Sequence, residues 1–221
     1  MALKRAKRFI ATFGLLFTVC GFISLVVAFA TPHWLERFPN KRMSKVFVRM
    51  GIWEVCFNNW TYYKDYLSKQ YNGCWWIYHF EYRPVWGWLN PPWLLAVQVM
   101  TAIGLVLYMV NVIMNIMYYS RCLPREKEKK HVLICACIMW LAFALIGTSV
   151  TIFGIKADID RQWLPNPDSN FLSWSFGFAC LSGFFAIFSA MCLSTDYVRI
   201  REEEERANRG PTYPVKPNPR F

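Results

Sequence analysis

FIATFGLLFTVCGFISLVVAFAT, residues 9–31, contains no Asp, Glu, Lys or Arg. A helix needs about 20 mostly apolar residues to cross the hydrocarbon core of a bilayer, and three further charge-free runs meet this condition at residues 93–119, 132–155 and 171–193. One charged side chain at the bilayer centre costs about 2.5–3.5 kcal/mol on insertion scales. We therefore predict a membrane α-helical fold, a left-handed bundle of four transmembrane helices.

Two other interpretations of the apolar runs fit less well. A hydrophobic content of 55% is compatible with a soluble domain, but a soluble core does not require four separate charge-free runs of this length. The first run could belong to a cleaved signal peptide, whose apolar region has roughly 7–15 residues. Because residues 9–31 exceed that length, we interpret them as a retained first span.

The basic residues predict that both termini are cytoplasmic. Short cytoplasmic segments carry an excess of Lys and Arg, and this excess is found in residues 1–8 and in residues 120–131, between the second and third spans. Residues 32–92 and 156–170 are then extracellular loops, and residues 194–221 form a cytoplasmic tail whose distal part is expected to be disordered. The first extracellular loop is itself basic, but loops of this length translocate largely regardless of charge.

The first extracellular loop has the composition of β-structure. Residues 45–57, KVFVRMGIWEVCF, partly alternate apolar and polar side chains, which predicts one or two strands with a bulge or bend at Gly51. Residues 74–82, CWWIYHFEY, also have strand composition. We expect a small antiparallel sheet formed mainly by this loop, supported by the ends of the helices and by a disulfide.

The cysteines separate by predicted compartment. Cys56 and Cys74 are the two in the extracellular segments, where oxidation is permitted, and we predict that they form a disulfide. Cys122 and Cys192 lie at the inner membrane boundary, a position that suits reversible palmitoylation or, alternatively, free cytosolic thiols. Asn59-Trp60-Thr61 is an N-glycosylation sequon in the first extracellular loop, and we predict a glycan on Asn59.

Some polar and small residues lie inside the predicted spans. Asn111 and Asn115 are four residues apart on one helix face, which indicates interhelical hydrogen bonding or, alternatively, the lining of a permeation path. Small residues at helical spacing would allow close packing of the third and fourth spans; they are Ala144, Gly147, Thr148, Thr151 and Gly154 in the third span, with Ala179 and Gly183 in the fourth.

Enzymatic activity and nucleic-acid binding are not expected. The three histidines, His33, His79 and His131, lie in different segments without an accompanying acidic cluster, so neither an acid–base pair nor a metal site is indicated. The net charge of +11 is spread over several segments rather than collected on one face, which argues against a nucleic-acid partner. We expect no cofactor, and the inner basic clusters suit anionic lipid head groups.

One set of residues resembles a family motif. Trp34 follows the first span, Gly51-Ile52-Trp53 precedes Cys56 by three residues, and Cys74 comes later in the same loop. This pattern, together with four spans and a large first loop, resembles the W…GLW-x-x-C…C signature of the claudin superfamily, which also includes peripheral myelin protein, the epithelial membrane proteins and calcium-channel gamma subunits. The resemblance implies a structural role for these residues.

Two departures limit the resemblance. The segment between Cys56 and Cys74 is longer than is usual in vertebrate claudins, and the chain ends Pro219-Arg220-Phe221, which leaves binding to a PDZ scaffold doubtful. A divergent claudin-like protein of invertebrate septate junctions fits both features.

The resemblance implies a protein of lateral cell–cell junctions in the plasma membrane. Its partners would be lipid, copies of itself or related proteins in the same and the opposite membrane, and other junction membrane proteins, and it would restrict paracellular diffusion. The alternative is an auxiliary subunit or trafficking partner of a channel or receptor. The first loop carries eight Lys and Arg against four acidic residues. We therefore expect a barrier or an anion-preferring path, with Lys41, Arg42 and Lys45 as candidate selectivity residues, unless these are simply a solvated face.

Overall fold

The computed structural model describes residues 2–38, 46–64, 68–120, 122, 124, 125–160, 163–165 and 167–208. The described residues form five α-helices: α1 (Ala2–Ala30), α2 (Trp86–Leu89), α3 (Pro92–Tyr119), α4 (Arg125–Ile159) and α5 (Trp174–Asn208). They also form five strands: β1 (Leu35–Arg37), β2 (Val46–Met50), β3 (Glu54–Thr61), β4 (Gln70–Trp76) and β5 (Asn170–Leu172).

Four of the described helices are long and apolar enough to cross a membrane, with mean hydropathies of 2.0 to 2.4: α1, α3, α4 and α5. The prediction of a four-helix membrane protein is therefore confirmed. The helices α4 and α5 continue past the apolar runs 132–155 and 171–193. The start of the last helix was predicted too early, since residues 170–172 pair as β5 and α5 begins at Trp174. The depth of each helix in the bilayer stays a prediction.

Helix packing inside the bundle depends on a glycine that sequence patterns did not single out. A Cβ on Gly21 of α1 would lie only 2.7 Å from Cζ of Tyr108 on α3. Without that carbon, the fully buried Tyr108 reaches across to α5, where its hydroxyl donates to the carbonyl of Ser182 at 2.6 Å. A second contact joins Thr18 of α1 to Ser189 of α5, with 2.7 Å between the two hydroxyl oxygens. Polar contacts thus connect three of the four long helices.

The amides of α3 do not form the interhelical bonds that we expected. Asn115 donates to the carbonyl of Asn111 within the same helix at 2.9 Å. The side chain of Asn111 is fully buried, and neither of its polar atoms has a hydrogen-bond partner. The small residues differ among themselves. Thr148 and Thr151 are exposed on the surface of the bundle and donate to carbonyls of their own helix. Ala179 and Gly183 of α5 are buried, and a Cβ at Gly154 would lie 3.4 Å from Phe176 of α5, as close packing requires.

The sheet is antiparallel throughout, in the order β4-β3-β2-β1-β5. Four strands come from the first loop, which confirms a small antiparallel sheet formed mainly by that loop. Residues 45–57 contain two strands separated by a bend at Gly51, as the alternation indicated. The fifth strand comes from the short second loop, where Phe171 pairs with Glu36 of β1. The sheet therefore joins both loops at one end of the bundle.

The second strand-like run was predicted with the wrong bounds. β4 begins at Gln70 and ends at Trp76, whereas the composition indicated residues 74–82. The chain turns after Trp76, where the backbone N–H of His79 donates to the Trp76 carbonyl at 2.8 Å. A 3-10 helix, Phe80–Val85, follows and contains Pro84, which has no N–H to offer a neighbouring strand. Aromatic composition indicated β-structure here, but the turn and the proline end the strand.

Candidate functional site

The candidate site is the bend between β2 and β3, where the chain meets the ends of α1 and α3. The bend begins at Gly51, whose backbone N–H donates to the Glu54 carbonyl at 2.8 Å. A Cβ at Gly51 would lie 2.7 Å from both the Cα of Pro32 and the carbonyl oxygen of Thr31. Both atoms belong to the backbone and cannot rotate away. The position therefore requires glycine because two segments of main chain come into contact there.

A polar clamp holds the bend against α3. The fully buried Gln98 donates its amide N–H to the Ile52 carbonyl at 2.6 Å and accepts from the hydroxyl of Tyr78, also at 2.6 Å. Asn90 donates to the same hydroxyl at 3.0 Å. An amide inside an apolar helix must find such partners or pay for desolvation. Gln98 thereby fixes the position of both the bend and the turn after β4.

Trp34 joins the loop to the helices. The side chain is fully buried, and its indole N–H donates to the carbonyl of Ala28 in α1 at 2.7 Å. Its ring packs edge-on against Phe153 of α4 and Phe176 of α5, with centroids 4.8 and 5.7 Å away. The backbone of Trp34 also bonds to Met50 in β2. One side chain thus connects the sheet to three of the long helices.

Trp53 packs on the same helix ends from a half-buried position. Its ring lies 5.3 Å from Phe29 of α1 and 6.4 Å from Tyr78. Its backbone carbonyl accepts from Ile77, so Trp53 also holds the end of β4 in place. The structure therefore places all six motif residues within one continuous unit of sheet and helix ends.

Cys56 and Cys74 form a disulfide, as predicted. They occupy paired positions of β3 and β4. The bond covalently joins the edge strand β4 to the interior of the sheet. In the chain-entropy model, a loop of this length is stabilised by about 3 kcal/mol relative to the reduced chain.

A charged cluster covers the disulfide. Arg49 of β2 places its Nε 3.4 Å from the sulfur of Cys56 and its Nη1 3.4 Å from Nε2 of His33. The other ring nitrogen of His33 contacts the carboxylate of Glu36. The His33 ring stacks on Trp174, the first residue of α5, at 4.8 Å. These contacts tie the first loop to the start of α5 at the sheet surface.

Burial changes the acidity of Tyr82, which lies in the 3-10 helix after β4. Tyr82 packs against Phe57 under the sheet, and its hydroxyl donates to the Val55 carbonyl at 3.4 Å. Burial raises the pKa of Tyr82 well above its usual value, and the nearby Tyr71, Glu54 and Glu81 raise it further. The phenol is therefore neutral at physiological pH and acts as a packing and hydrogen-bonding group.

The only cluster of potential metal ligands among the described residues consists of Glu54, Cys56 and Cys74. The two sulfurs are bonded to each other, so neither is available as the thiolate that a metal would need. His131 lies at the opposite end of the bundle from the sheet, where its Nε2 is 2.9 Å from the Met114 carbonyl.

The remaining predicted site residues lie in three places. Asn59 is exposed in β3 with a positive φ of 47°, at an irregularity in the pairing with β4. Cys122 is exposed just after α3, and Cys192 is half-buried in α5. Glycosylation and palmitoylation stay predictions. Lys41, Arg42, Lys45 and the C-terminal residues 219–221 lie outside the described residues.

Sequence reasoning missed Gln98, Gly21 and Arg49. A signal existed for Gln98, because a lone amide in an apolar helix must have a partner, as was argued for Asn111. No local signal exists for Gly21 or Arg49, since their roles depend on residues far away in the chain.

Comparison with known proteins gives one family. A family model described as PMP-22/EMP/MP20/Claudin tight junction matches residues 19–195. The matched range begins within α1, ends within α5 and includes the five described strands, the bend at Gly51 and the disulfide. No curated protein matches the chain.

Proposed function

Since the chain belongs to the PMP-22/EMP/MP20/claudin family, we propose that it is a cell–cell junction protein that restricts diffusion between cells. The chain is a multi-pass membrane protein. The observation that carries the proposal is the five-stranded sheet, which draws on both loops and is fixed to the helix ends through Trp34, Gly51 and Gln98. A sheet fixed in this way presents the same surface to neighbouring proteins in its own membrane and to proteins in the membrane of the adjacent cell.

The proposed topology places the sheet outside the cell and both termini in the cytoplasm. The basic residues of segments 1–8 and 120–131 support it through their preference for the cytoplasmic side. The Cys56–Cys74 disulfide supports it as well, because such bonds persist in oxidising compartments. We propose lateral plasma-membrane junctions as the location, with copies of this chain, related proteins and other junction membrane proteins as partners.

The charge of the first loop supports a barrier or an anion-preferring path. Two of the described bases are already engaged with groups of the sheet: Lys69 contacts the carboxylate of Glu81, and Arg49 lies against His33 and the disulfide. We propose Lys41, Arg42 and Lys45 as the residues that act on passing ions. Like charges facing a narrow aqueous gap disfavour cations.

Charge reversal tests whether the basic residues of the first loop set the ion preference. Lys41→Glu, Arg42→Glu and Lys45→Glu are expressed one at a time in an epithelial layer, and dilution potentials are measured. We expect each to shift the ion preference toward cations. Lys64→Glu is the matched control, since Lys64 is an exposed base of the same loop that lies over the ring of its neighbour Tyr63. Unchanged potentials in the three variants would leave these residues as a solvated face without a role in selectivity.

Localisation separates the junction proposal from its alternative. Immunolocalisation in a polarised epithelium is expected to show a lateral belt at cell contacts. Diffuse staining together with co-purification of one channel or receptor would instead support an auxiliary subunit or trafficking partner.

A further inference from the structure

Four large aromatic side chains lie exposed in the segment from the end of β4 to α2. Trp75 and Trp86 are each 44% exposed, Trp76 is 55% exposed and Phe80 is 73% exposed. We refer to Trp76 and Trp86, with Tyr78 between them, as the aromatic patch. Contiguous exposed apolar surface on a folded protein usually marks a contact with another protein or with a membrane.

Ring contacts divide the exposed aromatic residues into two groups. Trp75 stacks on His79 at 4.7 Å, and His79 is 4.3 Å from Phe80. On the other side of the same turn, Tyr78 contacts both Trp76 and Trp86, each at 5.3 Å. Trp76 and Trp86 therefore form one surface through Tyr78, whereas Trp75 and Phe80 belong to a second group on the other side of the turn.

The patch lies beside the first two turns of α3. Tyr78, at its centre, bonds through its hydroxyl to Gln98 in the second turn of α3. The exposed apolar face of α3 begins at the same height, with Leu95 and Val99. Since α3 is one of the four long apolar helices, we expect the boundary between hydrocarbon and head groups near this end of the helix.

The side chains suit that depth. Tryptophan is favoured at the boundary between head groups and acyl chains, where its ring is apolar and its N–H can meet water or lipid oxygens. Arg83 is exposed on the 3-10 helix between Phe80 and Trp86, and a guanidinium binds lipid phosphate well.

We propose that the aromatic patch lies in the head-group region of the leaflet on the sheet side, so that the sheet rests on phospholipid beside α3. The sheet then contacts the membrane at a second place besides its connections to the helices. Its orientation relative to the membrane plane, and thus the surface that it offers to partners, depends on this lipid contact.

The test uses the full chain in phosphatidylcholine nanodiscs that hold one copy each. The lipid is brominated either near the glycerol end or near the terminal methyl of its acyl chains, and tryptophan emission is compared between the parent and a Trp76→Phe/Trp86→Phe variant. Trp140→Phe is the reference, since Trp140 is exposed in the middle part of α4, far from either end of the predicted span.

The difference in tryptophan emission between the parent and the double variant reports on Trp76 and Trp86. We expect bromine near the glycerol end to quench this emission at least about twofold more than bromine near the terminal methyl. The emission lost in Trp140→Phe is expected to show the opposite order. If the emission lost in the double variant responds to neither lipid but is quenched by aqueous acrylamide, the proposal is wrong. If its acrylamide quenching falls only in vesicles that hold many copies, the patch binds a second copy of this chain instead, which also overturns the proposal.

Discussion

Gly51→Ala is the substitution whose cost can be derived most directly from the structure. The added Cβ would lie 2.7 Å from the backbone of Thr31 and Pro32, so the two chain segments must separate by about 0.7 Å to reach the 3.4 Å of ordinary contact. Overpacking of this kind costs about 1–3 kcal/mol. The next residue, Ile52, carries the carbonyl that Gln98 binds at 2.6 Å, so the shift also lengthens that hydrogen bond.

We expect a loss of about 2 kcal/mol in the free energy of unfolding. For a chain of this size, this corresponds to a decrease of roughly 4–8 °C in the melting temperature. The assay is thermal unfolding of the purified protein in detergent micelles, followed by near-ultraviolet circular dichroism of the buried aromatic residues.

Gly87→Ala is the matched control, because a Cβ at the exposed Gly87 has no neighbour within 4 Å. The control is expected to melt with the parent. If Gly51→Ala melts within about 1 °C of the parent as well, the argument that main-chain contact requires glycine at this bend is refuted.

Three further predictions address other parts of the molecule. Gly21→Ala should lower the melting temperature, because the added Cβ overlaps the ring of Tyr108. In the double variant Gly21→Ala/Tyr108→Phe, part of this loss should be recovered. If the losses of the two single variants simply add in the double variant, the overlap is not their cause. Tyr82 stays protonated in the folded protein, whereas its phenol in the unfolded chain loses its proton above about pH 10. The free energy of unfolding therefore falls as the pH rises past that value. Tyr82→Phe should flatten the fall in denaturation midpoint over that alkaline range, and an unchanged slope would refute the burial argument. Asn59→Gln should migrate faster than the parent on gels, and glycosidase should remove the difference; equal mobility before treatment would exclude a glycan at Asn59.

The sequence predicted the helices well because lipid leaves few alternatives. A charge-free run of about 20 residues must satisfy its own backbone hydrogen bonds, and a helix does so within one segment. The strands flanking Gly51 were also predictable, since alternating burial leaves its own period in the sequence. The disulfide could be predicted from the compartment of the cysteines, because Cys56 and Cys74 are the two that lie in the predicted extracellular loops.

The features that sequence reasoning missed depend on contacts between distant segments. β5 has only three residues, too few for a period, and it is a strand because β1 offers a free edge to Phe171. Gly21 looks like any small residue in a helix until Tyr108 is placed against it. The clamp at Gln98 likewise requires the turn after β4, whose position composition alone predicted wrongly.

The measurement that tests the central claim most directly is the flux of an uncharged tracer between the cells of an epithelial layer depleted of this protein. The proposal predicts that depletion raises the leak, that re-expression of the parent or of Gly87→Ala restores the seal, and that Gly51→Ala restores it less completely. An unchanged tracer leak after depletion would contradict the barrier function and leave the auxiliary-subunit alternative.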